Sequence, residues 1–484
     1  MTAATRPGPG TTSAAVRWNS LAVVGKQLFT FGVSIVLARL LGPETYGVIS
    51  AAMIYVTFTM LLLDQGLAAA LVQRPELSRW APGAVATANL ASAVLLGAVT
   101  FLAAPFVADF FHDDRLAPVL QMLGAALWLK ALAIVPRAMQ QRALTFRAIA
   151  AADVAGAFVG AAAGVAAALL GAGPAAVVAM VVATDVVVAA VLLHAERGPV
   201  PNLRWRELRE LLPFGARVMA TNGIAYFSRN VDNILVGRVL GLASLSFYGM
   251  AYRVLVIPVQ LIAQTVSRVM FPVFSRLADS RDLLAENLVR TTQLLALLAV
   301  PLMGLAAVGA HELVDVALGE QWLPSAALLS VLAVAGARET VLYVTSPLMK
   351  ATGEVKLLLR YELLATVLQV GGIVVGLLGG TLGVALGYTV AGFLLTPVLL
   401  LVQRRLTGVT GRQQARAILP PVHAALWGAA AYVLVARLLD GSLLVLAVGA
   451  VAYLAVAAGV LLGVHRTSTV EGVARLRRLA TGRT

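Results

Sequence analysis

Residues 148–193 read AIAAADVAGAFVGAAAGVAAALLGAGPAAVVAMVVATDVVVAAVLL. Asp153 and Asp185 are the only charges in that stretch. At about 45 residues it is too long for one bilayer crossing even when tilted. A crossing takes about 20 residues at 1.5 Å each, so the run holds two, hinged at Gly171-Ala172-Gly173-Pro174. The stretch 357–402 has the same form, with Gly379-Gly380 at its middle. Two apolar runs doubled back through turns this short predict an all-α integral membrane protein.

The same pattern extends outward over the 484 residues. Apolar stretches fall at about 19–40, 46–72, 82–108, 116–136, 148–170, 174–193, 213–237, 245–267, 291–311, 324–347, 357–378, 381–402, 417–438 and 442–464, predicting 14 transmembrane helices. Composition agrees: 60% of residues are hydrophobic, 12% are charged and the mean hydropathy is +0.88. A soluble domain carries roughly 25% charged residues. The formal charge of +14 does not signal nucleic acid, because the basic residues sit in short loops between apolar runs rather than beside stacking aromatics. With no cysteine in the chain, disulfides, thiolate metal sites and cysteine nucleophiles are excluded. An Arg-, Ala- and Gly-rich composition suggests a bacterial source.

With the amino terminus placed in the cytoplasm, the inner loops and tails hold about 26 Lys and Arg and the outer loops about 4, a strong positive-inside bias. Acids mark the outer loops: Asp109, Asp113, Asp114, Glu312, Asp315 and Glu320. Both termini are then cytoplasmic. The chain divides into a disordered tail (1–17), an N-lobe of six helices (18–195), a cytoplasmic interfacial linker helix (196–212), a C-lobe of six helices (213–405), two further helices (406–466) and a basic tail (467–484). A weak internal repeat supports the lobes. Leu37-Ala-Arg39-Leu-Leu-Gly42 returns as Val236-Gly-Arg238-Val-Leu-Gly241, and Leu170-Gly-Ala-Gly173 as Leu378-Gly-Gly380. Both halves start on the same side, so the two six-helix lobes are expected to be related by a parallel pseudo-twofold repeat, with the two C-terminal helices outside it.

Several strings resemble a known family. They are LARLLGPETYG (37–47), LLLDQGLAAALVQR (61–74), PRAMQQRALTFR (136–147), NVDNILVGRVLG (230–241), YGMAYRVLVIPVQ (248–260), FPVFSRLAD (271–279) and GEQW (319–322). Their order and spacing are similar to those of the Wzx-type polysaccharide flippases of the multidrug/oligosaccharidyl-lipid/polysaccharide (MOP) exporter superfamily, over roughly residues 18–405. Ser246 stands where that family usually has Gly. The resemblance implies a transporter that turns a polyprenyl-pyrophosphate-linked oligosaccharide from the cytoplasmic to the outer leaflet by alternating access. It also implies a bacterial cytoplasmic membrane location, and lipid-linked oligosaccharide, membrane lipids and polysaccharide assembly enzymes as partners. Two extra helices also occur in the lipid II flippase branch.

A charge in the bilayer centre costs at least about 2.5–3.5 kcal/mol, so each one needs a reason. Away from span ends these are Lys26, Lys130, Arg217, Arg229, Arg253 and Arg338, with Asp64, Asp153, Asp185, Asp232 and Glu339. For a pyrophosphate cargo, cations facing a cavity are the expected donors, which makes Lys26, Arg217, Arg253 and Arg338 the candidate substrate-binding residues. Snorkelling to the interface is the plainer role for Arg217. Arg229 and Asp232, three apart, share a helix face and suit an ion pair. The alternative is a switch in which protonation of Asp232 frees Arg229. Arg338 and Glu339 diverge by about 100° and face different neighbours. Asp64 and Asp185 either bind a coupling ion or bond a neighbouring helix. Gly156, Gly160, Gly164 and Gly379, Gly383, Gly387 are small-xxx-small ladders expected to pack within the chain.

Nothing in the chain suggests an enzyme: it has no GxxxxGK[ST] and no HExxH string, so no catalytic or metal site is expected. No cofactor is called for, and Na⁺ or H⁺ is the one ion for which there is a role. A glycan polymerase or ligase is disfavoured by short outer loops. A multidrug exporter of the same superfamily is the stronger alternative and favours carboxylates over a cationic cavity. The cysteine-free chain allows a direct test of orientation. A single Gln141→Cys should react with an impermeant maleimide only in inside-out vesicles, and Asp114→Cys only in intact cells. The reverse pattern would overturn the topology.

Overall fold

The computed structural model describes residues 9–195 and 198–466, and among them every regular element is helical. The chain divides into two compact units, 1–243 and 244–484. The first holds α1 (Pro9–Asp64), α2 (Leu67–Gln73), α3 (Ala81–Phe111), α4 (Leu116–Ala125), α5 (Leu127–Arg142), α6 (Phe146–Leu169), α7 (Ala175–Ala195) and α8 (Trp205–Leu240). α9 (Leu242–Pro258) opens at the boundary and lies mainly in the second unit. A π-helical turn (Val259–Ala263) joins it to α10 (Gln264–Arg276). There follow α11 (Arg281–Val308), α12 (Ala310–Leu318), α13 (Pro324–Leu342), α14 (Thr345–Ala351), α15 (Val355–Gly376), α16 (Gly380–Thr407), α17 (Gly411–Leu438) and α18 (Ser442–Gly463).

Among the described residues, nine helical runs are long and apolar enough to cross a membrane, or ten when α4 and α5, bent by 44°, count as one span. This is a multi-pass membrane protein. The difference from the expected fourteen has identifiable sources. Phe29–Asp64 is one run, although Gly42 kinks it with φ 73 and ψ 167. Val355–Thr407 is likewise one run, broken by a tight turn ending in Gly380 at φ 68. The remaining two expected spans fall on α8, which carries Arg217, Arg229, Asp232 and Arg238, and on α9–α10, which is interrupted by the π turn. The interfacial helix expected within 196–212 begins at Trp205 and runs without interruption through the rest of α8.

Outward faces are apolar, as lipid requires: Val94, Leu102 and Phe106 of α3 are 69%, 71% and 75% exposed. Inward packing relies on small residues. A Cβ at Gly156 would meet Val188 Cγ2 at 2.8 Å, one at Gly160 would meet Thr184 Oγ1 and, at 2.8 Å, the Met180 carbonyl, and one at Gly164 would meet Met180 Cβ at 2.9 Å. The first ladder is therefore the α6–α7 seam. The second works differently from expectation. Gly383 and Gly387 of α16 face Gly376 and Gly372 of α15, whereas Gly379 meets nothing within 4 Å and belongs to the turn.

The last two helices are held by aromatic knobs. Tyr453 packs on Gly428, where a Cβ would sit 3.0 Å from its ring, and Tyr432 packs on Gly449 at 2.7 Å. The Tyr432 hydroxyl donates to Glu312 Oε2 at 3.1 Å and Ser442 Oγ to Asp315 Oδ2 at 2.5 Å. Those two acids, expected in a loop, lie on α12 and anchor α17 and α18.

Gly160→Leu should overpack the α6–α7 seam and destabilise the protein by about 1–3 kcal/mol, whereas Gly379→Ala should be neutral. Thermal unfolding in detergent checks both, and equal melting temperatures for the two variants would contradict the seam.

Candidate functional site

In the first unit the intramembrane charges find one another. Lys130 Nζ of α5 donates to Asp185 Oδ1 of α7 at 3.0 Å, with both side chains largely buried. About two helical turns further along α5, Arg137 grips Asp153 of α6 through both guanidinium ends, Nη2 to Oδ1 at 2.7 Å and Nη1 to Oδ2 at 3.3 Å. Such a fork is the geometry in which arginine binds carboxylate most strongly. All three helices thus carry charges that only their packing brings together: α5 supplies the cations, while α6 and α7 supply the acids. Sequence spacing could not pair residues that lie 16 and 55 positions apart. The apolar stretches 116–136 and 148–170 leave Arg137 between spans, outside the set of intramembrane charges.

Two further intramembrane acids of this unit, Asp64 and Asp232, accept bonds from close neighbours in the chain. Asp64 ends α1, and its Oδ1 accepts from the Ala68 N–H at 3.2 Å. That bond braces the turn in which Gln65 and Gly66 take φ 49 and 68. Asp232 is buried in α8 and accepts from the Asn233 N–H at 2.8 Å and its Nδ2 at 3.2 Å. Arg217 is exposed, and its Nε donates to the Pro213 carbonyl at 3.0 Å. The side chains of Lys26 and Arg229 lie outside the described residues, and with them the Arg229–Asp232 pair.

In the second unit Arg253 of α9 is exposed. Arg338 and Glu339 of α13 point to different places, as adjacent helical residues must, yet both engage α16. Arg338 Nε donates to Thr396 Oγ1 at 3.0 Å, and its guanidinium lies against Gly392, 3.5 Å from a Cβ built there. A side chain at position 392 would crowd it. The Tyr388 hydroxyl donates to Glu339 Oε2 at 3.2 Å. Behind it Tyr388 meets Tyr252 edge-on at 6.1 Å, and Tyr252 stacks on Tyr248 at 5.9 Å. This tyrosine array was not anticipated, because YGMAY reads in sequence as ordinary aromatic packing.

Arg338 also borders an apolar cavity of about 900 Å³ between α11, α13, α16 and α17. Its Nη2 is buried without a hydrogen-bond acceptor. The arrangement has one evident chemical capacity. A permanently charged fork in a dry setting binds an anionic oxygen far more strongly than the same group in water does. Among the described residues no group of three or more His, Asp or Glu is placed to hold a metal ion.

Comparison with known proteins adds a family context. The family described as "Polysaccharide biosynthesis protein" matches residues 36–327. The lipopolysaccharide biosynthesis protein WzxC of Escherichia coli (strain K12) is 24% identical over 399 residues, covering 78% of this chain and 77% of WzxC. The succinoglycan biosynthesis transport protein ExoT of Rhizobium meliloti (strain 1021) is 26% identical over 369 residues, 76% of this chain and 74% of ExoT. Among solved structures, the lipid II flippase MurJ in an inward closed conformation aligns with a TM-score of 0.71 at 12% identity, covering 92% of this chain and 98% of MurJ. At that identity the likeness is one of fold.

Removing one member of a buried pair strands the other. Lys130→Ala should therefore cost about 3–5 kcal/mol, whereas the double variant Lys130→Met/Asp185→Leu should come close to wild type. A thermal-unfolding double-mutant cycle reads the difference. A double variant as unstable as the single would show that the pair is not the source of the loss.

Proposed function

We propose that this chain, which belongs to the polysaccharide biosynthesis protein family, is a transporter that moves a lipid-linked oligosaccharide across the membrane for cell-surface polysaccharide assembly. The relatives WzxC and ExoT are named for the biosynthesis of such polymers, and ExoT for transport. The cargo we assign is a polyprenyl-pyrophosphate glycan, taken up at the cytoplasmic leaflet and released at the outer one by alternating access. The protein performs no bond chemistry. Its partners are the glycolipid, the membrane lipids and the polysaccharide assembly enzymes that consume the product.

The observation that carries this reading is Arg338. An arginine deep in α13, hydrogen-bonded to Thr396 through Nε and left with Nη2 unanswered at an apolar cavity, is arranged to receive an anionic oxygen. A cationic drug would be repelled from the same place. Arg253, Arg217 and Lys26 are assigned as further phosphate contacts along the route, and Glu339, Asp232, Arg229, Asp185 and Asp64 as structural or coupling groups. The cycle is driven by a Na⁺ or H⁺ gradient, by the membrane potential acting on the anionic cargo, or by consumption of the product outside.

We assign fourteen spans in two repeated six-helix lobes, with both termini in the cytoplasm of a bacterial inner membrane. Matching backbone singularities support the repeat. Gly42 and Gly241 share φ 73 and 87 at ψ 167. Leu144 and Gly353 each take positive φ (57 and 76), as do Gly171 and Gly380 (80 and 68). These last two pairs are separated by the same offset along the chain, which also relates Lys130 to Glu339 and Asp153 to Glu362. Repeat-related positions thus carry charges of opposite sign at one place and of the same sign at the other.

The decisive measurement is binding of purified protein to a polyprenyl-pyrophosphate oligosaccharide, with an organic cation as control. Wild type should bind the glycolipid saturably, and Arg338→Ala should weaken binding at least about tenfold, the loss of one charge-assisted bond. Cation binding without glycolipid binding would move the chain to the multidrug exporters.

A further inference from the structure

The first unit contains a second cavity that the transport reading does not use. It measures about 970 Å³ and opens where α5 ends, α6 begins and α7 ends, with Gln140, Thr145, Arg147, Ala151, Val191 and His194 among its walls. It lies at the end of α6 and α7 beyond their glycine seam. There the helix ends are basic: PRAMQQRALTFR closes α5 and opens α6.

Three independent features of this cavity ask for the same occupant. Arg147 and His194 are exposed on its walls, and among the described residues neither has an ion-pair or hydrogen-bond partner. The N-terminus of the 24-residue α6 faces it without a cap. Thr145, at the N-cap position, turns its hydroxyl back to the Gln140 carbonyl at 3.2 Å, and no side chain caps the first turn. Those free N–H groups carry the positive end of the helix dipole. The third feature is Gln140 itself. Only 3% exposed, it has both Nε2 and Oε1 without a partner, a costly state for a buried amide. An occupant that answers all three features accepts from Nε2, donates to Oε1 and carries negative charge toward the Arg147 guanidinium and the α6 N-terminus. The remaining walls, Ala148, Ala151, Ala190 and Val191, are apolar and continue into lipid-facing Val154, Phe158 and Val186.

We propose that this cavity is a headgroup site for an acidic glycerophospholipid bearing free hydroxyls, of which phosphatidylglycerol is the simplest. Its phosphate lies between Arg147, His194 and the α6 N-terminus, its headgroup hydroxyls and ester carbonyls satisfy the Gln140 amide, and an acyl chain follows the alanine wall. Phosphatidylcholine lacks both the net charge and the donor. Basic pockets between transmembrane helices on the cytoplasmic side are general binding places for anionic headgroups, and here the chemistry of Gln140 adds a requirement for a donor. The site would be filled from the leaflet at the arginine-rich end, separately from the cargo.

The test uses the full-length protein, purified free of lipid in neutral detergent, with thermal unfolding followed during titration. Phosphatidylglycerol should raise the melting temperature saturably, while phosphatidylcholine and soluble glycerol phosphate should not. Arg147→Ala/His194→Ala should raise the half-saturating lipid concentration at least about tenfold. Gln140→Met, which keeps the volume and removes the amide, should be no less stable without lipid but should respond less to phosphatidylglycerol. An unchanged titration in the double variant would overturn the proposal, as would an equal response to phosphatidylcholine. A full response to glycerol phosphate would mean a soluble-anion site and would overturn the lipid assignment. Should the double variant fail to fold, native mass spectrometry of wild type from equimolar phosphatidylglycerol–phosphatidylcholine vesicles decides: retention of phosphatidylglycerol supports the site, and equal retention of both refutes it.

Discussion

Hydrocarbon cannot hydrogen-bond, so every polar group this chain carries into the bilayer must be answered from within the chain. The backbone meets the demand with helices, the one kind of regular element among the described residues. The side chains meet it in pairs. Lys130 meets Asp185 and Arg137 meets Asp153, joining α5 to both helices of the neighbouring hairpin. Asp64 answers a turn N–H, and Tyr388 answers Glu339. Among the described buried polar groups left unanswered, which include the Asn89 amide and Asp185 Oδ2, Arg338 Nη2 and the amide of Gln140 belong to residues that border a cavity. In a solvent that penalises unanswered polarity, such exceptions are where a ligand is to be sought.

Without a hydrophobic force between helices, association depends on close contact. The protein achieves it in two ways. Glycine faces a larger partner along α6–α7 and faces glycine along α15–α16. Along α17–α18 the glycines instead receive tyrosine rings, and the tyrosine hydroxyl at position 432 reaches an acid of α12. At Tyr432 that combination lets a bulky residue pack tightly while its polar end is satisfied, and it secures the last helix pair to α12 within the second unit.

Much of the fold was legible in the chain. The hinge at Gly171–Pro174, the turn at Gly380 and the seam glycines at 156, 160, 164, 383 and 387 are all read from one-dimensional pattern, because each depends on local conformation or on i, i+4 spacing. Gly372 and Gly376 were overlooked because the partner helix of a ladder is not encoded in the ladder itself. α8 and α9–α10 show the limit of hydropathy: they carry charges where the pattern of the neighbours predicts spans. Among the candidate site residues, the divergence of Arg338 and Glu339 followed from the 100° helical step. The partners of Asp185 and Asp153 did not follow from anything local.

The sequence by itself determined the solvent, the helical class and the positions of nearly every charge that lipid must tolerate, since these depend on composition and short-range periodicity. The tertiary structure alone decided which of those charges are neutralised and which keep a bonding capacity. That choice depends on which helices lie side by side. Coulomb and hydrogen-bond energies fall off over a few ångströms, and residues 55 apart in the chain come within that range only when the helices pack.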